Sequence, residues 1–181
     1  MNNRPKTTVV LAMTADGKIA DKNYSSARFG TTADKIHLET QVSLVDGVIF
    51  GAGTLRAYGT TLSITTPQLL KERIERSQSP QPIQIVVSAT GKLDPKLRFF
   101  KQPVPRWLIT TDLGSKTWLD GSEFTKIVIV DTSQQNESAI DWILTLTQLA
   151  GLGIKKLAIL GGGELVASLF AANLIDELWL T

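Results

Sequence analysis

Residues 157–170 read Leu-Ala-Ile-Leu-Gly-Gly-Gly-Glu-Leu-Val-Ala-Ser-Leu-Phe, an order that few folds accommodate. The apolar run Leu157, Ala158, Ile159 and Leu160 predicts a buried strand. Gly161, Gly162 and Gly163 then predict a turn of bare backbone, and Leu165, Leu169 and Phe170 fall at helical spacing. A helix start of this kind presents unpaired N–H groups and the positive end of a dipole, and glycines let a ligand's phosphates reach them. The alternative is a tight turn that packs helix against sheet with no ligand. Three consecutive glycines are more than such a turn needs, which favours the phosphate site.

Two common nucleotide folds do not fit this turn. A Rossmann fingerprint needs a third glycine where Val166 stands, and it sits early in a βαβ unit. A P-loop closes with Gly-Lys-Ser/Thr, and Glu164 occupies that place. A second strand-then-glycine junction lies about 110 residues upstream, where 45–50 form a strand ending in Gly51-Ala52-Gly53-Thr54-Leu55-Arg56. Two such junctions suit a ligand spanning neighbouring strand ends. Thr54 offers a hydroxyl and Arg56 a charge, or the two are a cap and a surface residue.

The remaining chain supplies the sheet around these junctions. Residues 7–13, 83–88, 107–110 and 126–130 are β-branched or apolar runs that predict buried strands, and a further strand begins at Asp176. Helices are predicted over 33–44, capped by Thr31 or Thr32 with Asp34 in the first turn, and over 67–77 as a solvated surface helix led by Pro67. A short helix is expected near 115–119. Ile140, Ile143, Leu144 and Ala150 set a longer one over 137–150, stopped by Gly151 and Gly153. The Asp16-Gly17 turn places 14–20 in a hairpin or a strand-end loop, where it can lie over a ligand. Ser88-Ala89-Thr90-Gly91-Lys92 offers hydroxyls and a lysine for a ribose or its 2′-phosphate, or is a plain turn. His37 falls on the first helix, read as solvated or satisfied.

With 181 residues, 43% apolar and 20% charged, the chain is expected to be one α/β domain: a mostly parallel central sheet flanked by helices. A net charge of +2 is too small for a nucleic-acid surface and suits an anionic small molecule. Zero cysteines exclude a disulfide framework, a thiolate zinc site and a cysteine nucleophile, and a single histidine, His37, argues against a histidine-based metal site. No apolar run reaches the roughly 18 residues of a membrane span and the N-terminus lacks a signal-peptide core, so a cytoplasmic protein is expected. The chain ends inside its last strand, which predicts either missing C-terminal strands or closure against another chain, as in a homodimer.

Four blocks carry a resemblance. They are residues 12–20, residues 46–54, residues 81–88, and Leu160-Gly161-Gly162-Gly163-Glu164 followed by Leu174-Ile175-Asp176-Glu177-Leu178. In this order they resemble the dihydrofolate-reductase-like superfamily, most closely the pyrimidine reductase half of bacterial riboflavin-biosynthesis deaminase/reductases. The resemblance implies an NADPH-dependent reductase that transfers hydride to the ribosyl carbon of 5-amino-6-(5-phosphoribosylamino)uracil. It also implies that Ala12 lies beside the nicotinamide and that Gly51, Gly53 and Thr54 meet the cofactor. Ser88 and Ala89 would contact the adenosine side, and Gly161, Gly162, Gly163, Glu164 and Leu165 would cradle the pyrophosphate.

The substrate half departs from the family. Leu160 replaces an acid before the glycine turn and Val42 replaces an arginine. Tyr58-Gly59-Thr60-Thr61-Leu62 stands for Asp-Asp-Pro-x-Leu, with Thr65 at a later arginine's place. Leu62 keeps its position in that motif, and Arg28 or Arg56 would have to supply the phosphate partner. Thr32-Ala33-Asp34 sits where folate reductases keep their pterin-orienting carboxylate, which makes Asp34 the one candidate catalytic acid. A folate-type or orphan pterin reductase and a non-catalytic dinucleotide-binding module are the alternatives.

Overall fold

The computed structural model describes residues 3–21, 30–119, 121, 123–130, 132–133 and 136–181. In chain order these form β1 (Lys6–Leu11), α1 (Thr32–Ser43), β2 (Gly47–Gly51), α2 (Ala52–Tyr58), α3 (Pro67–Glu75) and β3 (Ile83–Val87). A 3-10 turn at Arg98–Lys101 precedes β4 (Arg106–Thr110), α4 (Asp112–Ser115) and β5 (Lys126–Ile129). Then come β6 (Thr132–Ser133), β7 (Asn136–Ile140), α5 (Trp142–Gly151), β8 (Lys156–Ile159), α6 (Gly163–Ala171) and β9 (Glu177–Leu180).

Seven strands make one sheet in the order β5-β4-β3-β2-β8-β1-β9. Every neighbouring pair is parallel, as apolar strands joined by helical crossovers dictate. On one face Val9, Ile49, Ile85, Ile109, Leu157 and Ile159 pack against Leu146 and Leu149 of α5 and Leu165 and Leu169 of α6. On the other face Val48, Phe50, Val86, Leu108 and Ala158 meet Val42 of α1, Leu55 of α2 and Phe99 of the 3-10 turn. β8, though late in the chain, lies between β1 and β2, so the triple-glycine turn emerges between the C-terminal ends of both.

The helix expected over 137–150 begins instead at Trp142. Asp141 holds extended backbone and its side chain accepts from the Leu144 N–H as an N-cap, while Asn136–Ile140 pairs antiparallel with Thr132–Ser133. The short helix expected at 115–119 lies earlier, at Asp112–Ser115, capped by Thr111.

α3 is also more than a solvated helix. Arg73 is 1% exposed, and its guanidinium donates to the carbonyls of Ser79 (2.8 Å), Ser43 (2.9 Å) and Val45 (2.7 Å). A cation thus closes the C-terminal end of α1, where carbonyls are unpaired and the dipole is negative. Desolvation lowers the Arg73 pKa from its ordinary value, with neighbouring Arg76 adding to the shift.

Candidate functional site

The site is built from strand ends. The Gly51 N–H donates to the Gly161 carbonyl at 3.0 Å, which ties the end of β2 to the turn after β8. A Cβ placed on Gly162 would stand 3.2 Å from Thr54 Oγ1, and one on Gly161 would stand 3.7 Å from both Thr54 Oγ1 and Leu11 Cδ2. Gly161 takes φ +111, a conformation that L side chains rarely adopt. The two glycine junctions and the end of β1 therefore meet at one point, and side chains there would fill the crevice.

α6 starts at this point without a side-chain cap. Gly162 is its N-cap, and the first helical bond runs from the Val166 N–H to the Gly162 carbonyl at 3.1 Å. The N–H groups of Gly163, Glu164 and Leu165 precede that bond, so these donors face the crevice mouth. Leu165 contributes only main chain, because its side chain is buried in the α5–α6 core. Unpartnered N–H groups, bare backbone and a nine-residue helix behind them are what a dinucleotide pyrophosphate requires, and the residues fit it.

Two further expected residues border this crevice. The loop after β1 folds over it: Ile19 Cδ1 lies 3.4 Å from where a Cβ on Gly163 would be, and Ala12 is the first residue beyond β1. Ser88 and Ala89 follow β3, which is paired with β2 up to Gly51. Their turn is rigid. The Ala89 carbonyl accepts from Thr111 Oγ1 at 2.8 Å, the Gly91 carbonyl accepts from Trp118 Nε1 at 2.6 Å, and any side chain on Gly91 would collide with the Gly114 carbonyl.

The expected substrate residues are more scattered. Arg28 lies outside the described residues. Arg56 is exposed on α2, with Nη2 4.0 Å from where a Gly53 Cβ would be, and it makes no ion pair among the described residues. Leu62 packs into the second core, its carbonyl within 3.4 Å of Gln84 Nε2 near the start of β3, so it is not brought to the glycine crevice. Its segment is held from Thr60 to Thr66 by Gln102, Gln84, Gln81 and the buried Glu39. Burial pushes the Glu39 carboxyl up, but the N–H groups of Thr66 and Thr65 outweigh this and hold it below its usual value.

Asp34 is an N-terminal capping residue. Its carboxylate accepts from the Thr31 N–H (2.6 Å) and hydroxyl (2.8 Å), while Thr31 Oγ1 caps the Asp34 N–H in return. Those bonds from Thr31, with Thr181 and His37 adding, lower its pKa, so the group is an anion at neutral pH. His37, expected to be solvated or satisfied, is half-buried. Its Nε2 is buried without a partner, and the ring lies 5.4 Å from that of Trp179 on β9. Sequence reasoning missed Glu39, Arg73 and the His37–Trp179 pair. A buried acid or base within a polar helix was the only available signal, and it does not name its partner.

Comparison with known proteins places this geometry. The model of the RibD C-terminal domain matches residues 5–181. A 2,5-diamino-6-ribosylamino-4(3H)-pyrimidinone 5′-phosphate reductase from Archaeoglobus fulgidus is 23% identical over 175 residues, covering 97% of this chain and 78% of its own. The protein of the same name from Methanothermobacter thermautotrophicus is 25% identical, covering 96% of this chain and 75% of its own. Among solved structures, a pyrimidine reductase-like protein from Corynebacterium diphtheriae has the same fold, with TM-score 0.79 at 19% identity over 98% of this chain and 74% of its own. The seven-stranded parallel sheet, its glycine crevice and these matches agree, and this chain belongs to the RibD C-terminal domain family.

Proposed function

We propose that the chain is an NADPH-dependent reductase of a pyrimidine ribotide in riboflavin biosynthesis. The observation that carries this reading is the Gly51–Gly161 junction, backed by the uncapped start of α6. When bound, the nicotinamide supplies the hydride that converts the ribosyl group to a ribityl chain. The protein binds and orients. The N–H groups of Gly163, Glu164 and Leu165 receive the pyrophosphate, and Gly51, Gly53 and Thr54 admit the cofactor between β2 and β8. Ser88 and Ala89 border its adenosine, Ala12 leaves room for the nicotinamide, and Ile19 excludes water above the turn. Arg56 takes the substrate's phosphate in place of the family's arginines, and Asp34 supplies a fixed negative charge at the start of α1.

The family relatives' names specify a 2,5-diaminopyrimidinone ribotide, whereas the sequence resemblance points to the 5-aminouracil ribotide. The two differ at one ring carbon, amino against carbonyl. Fluorescence titration with NADPH and NADH tests cofactor binding, and NADPH oxidation with each ribotide, then with dihydrofolate, tests the substrate. Turnover of either ribotide upholds the reading. Turnover of dihydrofolate alone moves the chain to the folate reductases, and binding with no turnover leaves a dinucleotide-binding module. We further propose a homodimer joined at β9, where Leu178 and Leu180 are about half exposed and no strand among the described residues covers the outer edge. A monomer at micromolar concentration by light scattering refutes it.

A further inference from the structure

Residues 90–106 carry five cationic side chains and one acid, in a chain whose net charge is only +2, so the chain outside this segment is net negative. Arg106 spends its guanidinium on the carbonyls of Glu123, Gln102 and Val104. The other four, Lys92, Lys96, Arg98 and Lys101, are exposed and form no ion pair among the described residues. The acid is engaged elsewhere, because Asp94 Oδ1 accepts from the Lys96 N–H at 2.9 Å. Like charges gathered on one segment repel one another, a cost that a negatively charged visitor removes.

The segment holds these charges in place. Its upper end is the Gly91 turn, locked against Gly114. Further along, Phe99 is fully buried and its N–H donates to the Gly59 carbonyl at 3.0 Å, at the end of α2. Phe100 stacks on Trp118 at 5.5 Å, and Gln102 Oε1 accepts from the Thr61 N–H at 3.0 Å. The segment therefore reaches from the turn after β3 to the end of α2, the helix that opens at the glycines of the crevice and carries the exposed Arg56. β3 is the direct neighbour of β2, about 4.8 Å away, so the Lys92 end stands beside the crevice.

The crevice lacks such charge of its own. Its donors are main-chain N–H groups and the Thr54 hydroxyl, and the exposed Glu164 carboxylate stands in the first turn of α6. An incoming phosphate meets a negative group there, so attraction at longer range has to come from beside the site.

We propose that Lys92, Lys96, Arg98 and Lys101 form a basic strip that draws the phosphates of the dinucleotide cofactor to the adenosine end of the crevice. This rests on the reductase reading for the identity of the anion. The strip acts on encounter, because charge near a site speeds association by about 10- to 1,000-fold in strongly steered systems without contacts in the bound complex. A 2′-phosphate adds about 1.5–2 negative charges, so NADPH is drawn more strongly than NADH.

Stopped-flow fluorescence of the full chain mixed with NADPH reads association and dissociation separately. The test variant combines Lys96→Gln, Arg98→Gln and Lys101→Gln, none of which approaches a crevice glycine. At an ionic strength of about 0.01 M, where charges act over about 30 Å, its association rate constant should fall about three- to tenfold, with dissociation within about twofold of wild type. At about 1 M, where the range is about 3 Å, the two proteins should associate equally fast. Lys96→Gln alone should lower the rate about twofold, and it replaces the triple variant if that one unfolds. NADH should show a smaller fall, and an equal one overturns the role of the cofactor's phosphates. Equal association of wild type and variant at low salt, or a loss confined to dissociation, overturns the strip while the NADPH site stands. A wild type that binds no NADPH overturns the reductase reading itself, and the strip with it.

Discussion

The main-chain N–H of Gly51 donates to the carbonyl of Gly161 at 3.0 Å, joining two glycine turns that stand about 110 residues apart in sequence. One bond fixes the spacing of the crevice's two walls, and neither residue could carry a side chain without narrowing it. Thr54 Oγ1 lies against both Gly161 and Gly162, so the hydroxyl and the glycines form one surface.

Methyl groups added here should separate binding from folding. Gly162 has φ −75 and ψ 179, which any residue adopts, so Gly162→Ala should cost little stability yet press on Thr54 Oγ1 and weaken NADPH binding about tenfold. Gly161→Ala, whose Cβ would stand at ordinary contact distance from Thr54 Oγ1, should instead lose about 1–2 kcal/mol of stability, because φ +111 suits only glycine. Isothermal titration and urea unfolding of both variants check the contrast.

Removing the buried guanidinium should be severe. Arg73→Met orphans the carbonyls of Val45 and Ser79, each at about 1–3 kcal/mol, while Ser43 keeps its bond from Arg76 at 2.9 Å, so a loss of about 2–5 kcal/mol is expected. The midpoint of urea unfolding should fall accordingly, while NADPH affinity of the folded fraction stays within twofold.

Glu39 should show a graded series. Both the Thr65 and Thr66 N–H groups converge on Oε1, so Glu39→Gln keeps an acceptor and weakens charge-assisted bonds by about 1 kcal/mol. Glu39→Ala leaves both donors unpaired and should cost about twice that or more. Thermal melting measures the order, and proteolysis within 60–66 should accelerate in the alanine variant alone.

Asp176 gives a pH signature. Its carboxylate is held at about 2 by the Arg4 guanidinium (2.7 and 2.8 Å), against the opposing effect of burial and with help from the Thr7 N–H. A folded-state pKa below the unfolded value stabilises the fold fully above the ordinary aspartate value of 3.8, and this is lost as pH falls towards 2. The stability gap between wild type and Asp176→Asn should therefore be constant near neutrality and close between about pH 4 and pH 2, read by urea midpoints at each pH.

The sheet was legible because its strands are short, apolar and buried on both faces, so composition alone marks them, as Val48-Ile49-Phe50 and Leu157-Ala158-Ile159 illustrate. That the two glycine turns meet was legible because each follows a buried strand and opens a helix, so both stand at strand ends of one sheet. Ile140 misled: it continues the helical spacing of Ile143 and Leu144, yet it ends a strand, and the Asp141 cap outweighs periodicity. Arg73 sits among Lys71, Glu72, Glu75 and Arg76, a pattern that reads as a wet surface. Only the folded chain brings the carbonyl end of α1 to it. His37 and Trp179 stand far apart in the chain, and no local pattern pairs them.

The position of β8 governs how the molecule can be made. Emerging from the ribosome, residues 1–155 hold β1 and β2 but lack the strand that belongs between them. Until residues 156–159 arrive, the sheet has a central gap with two open, apolar edges, which are sticky to other nascent chains. Closure must wait for β8, so a chain stopped before residue 156 should aggregate rather than form a smaller version of this fold.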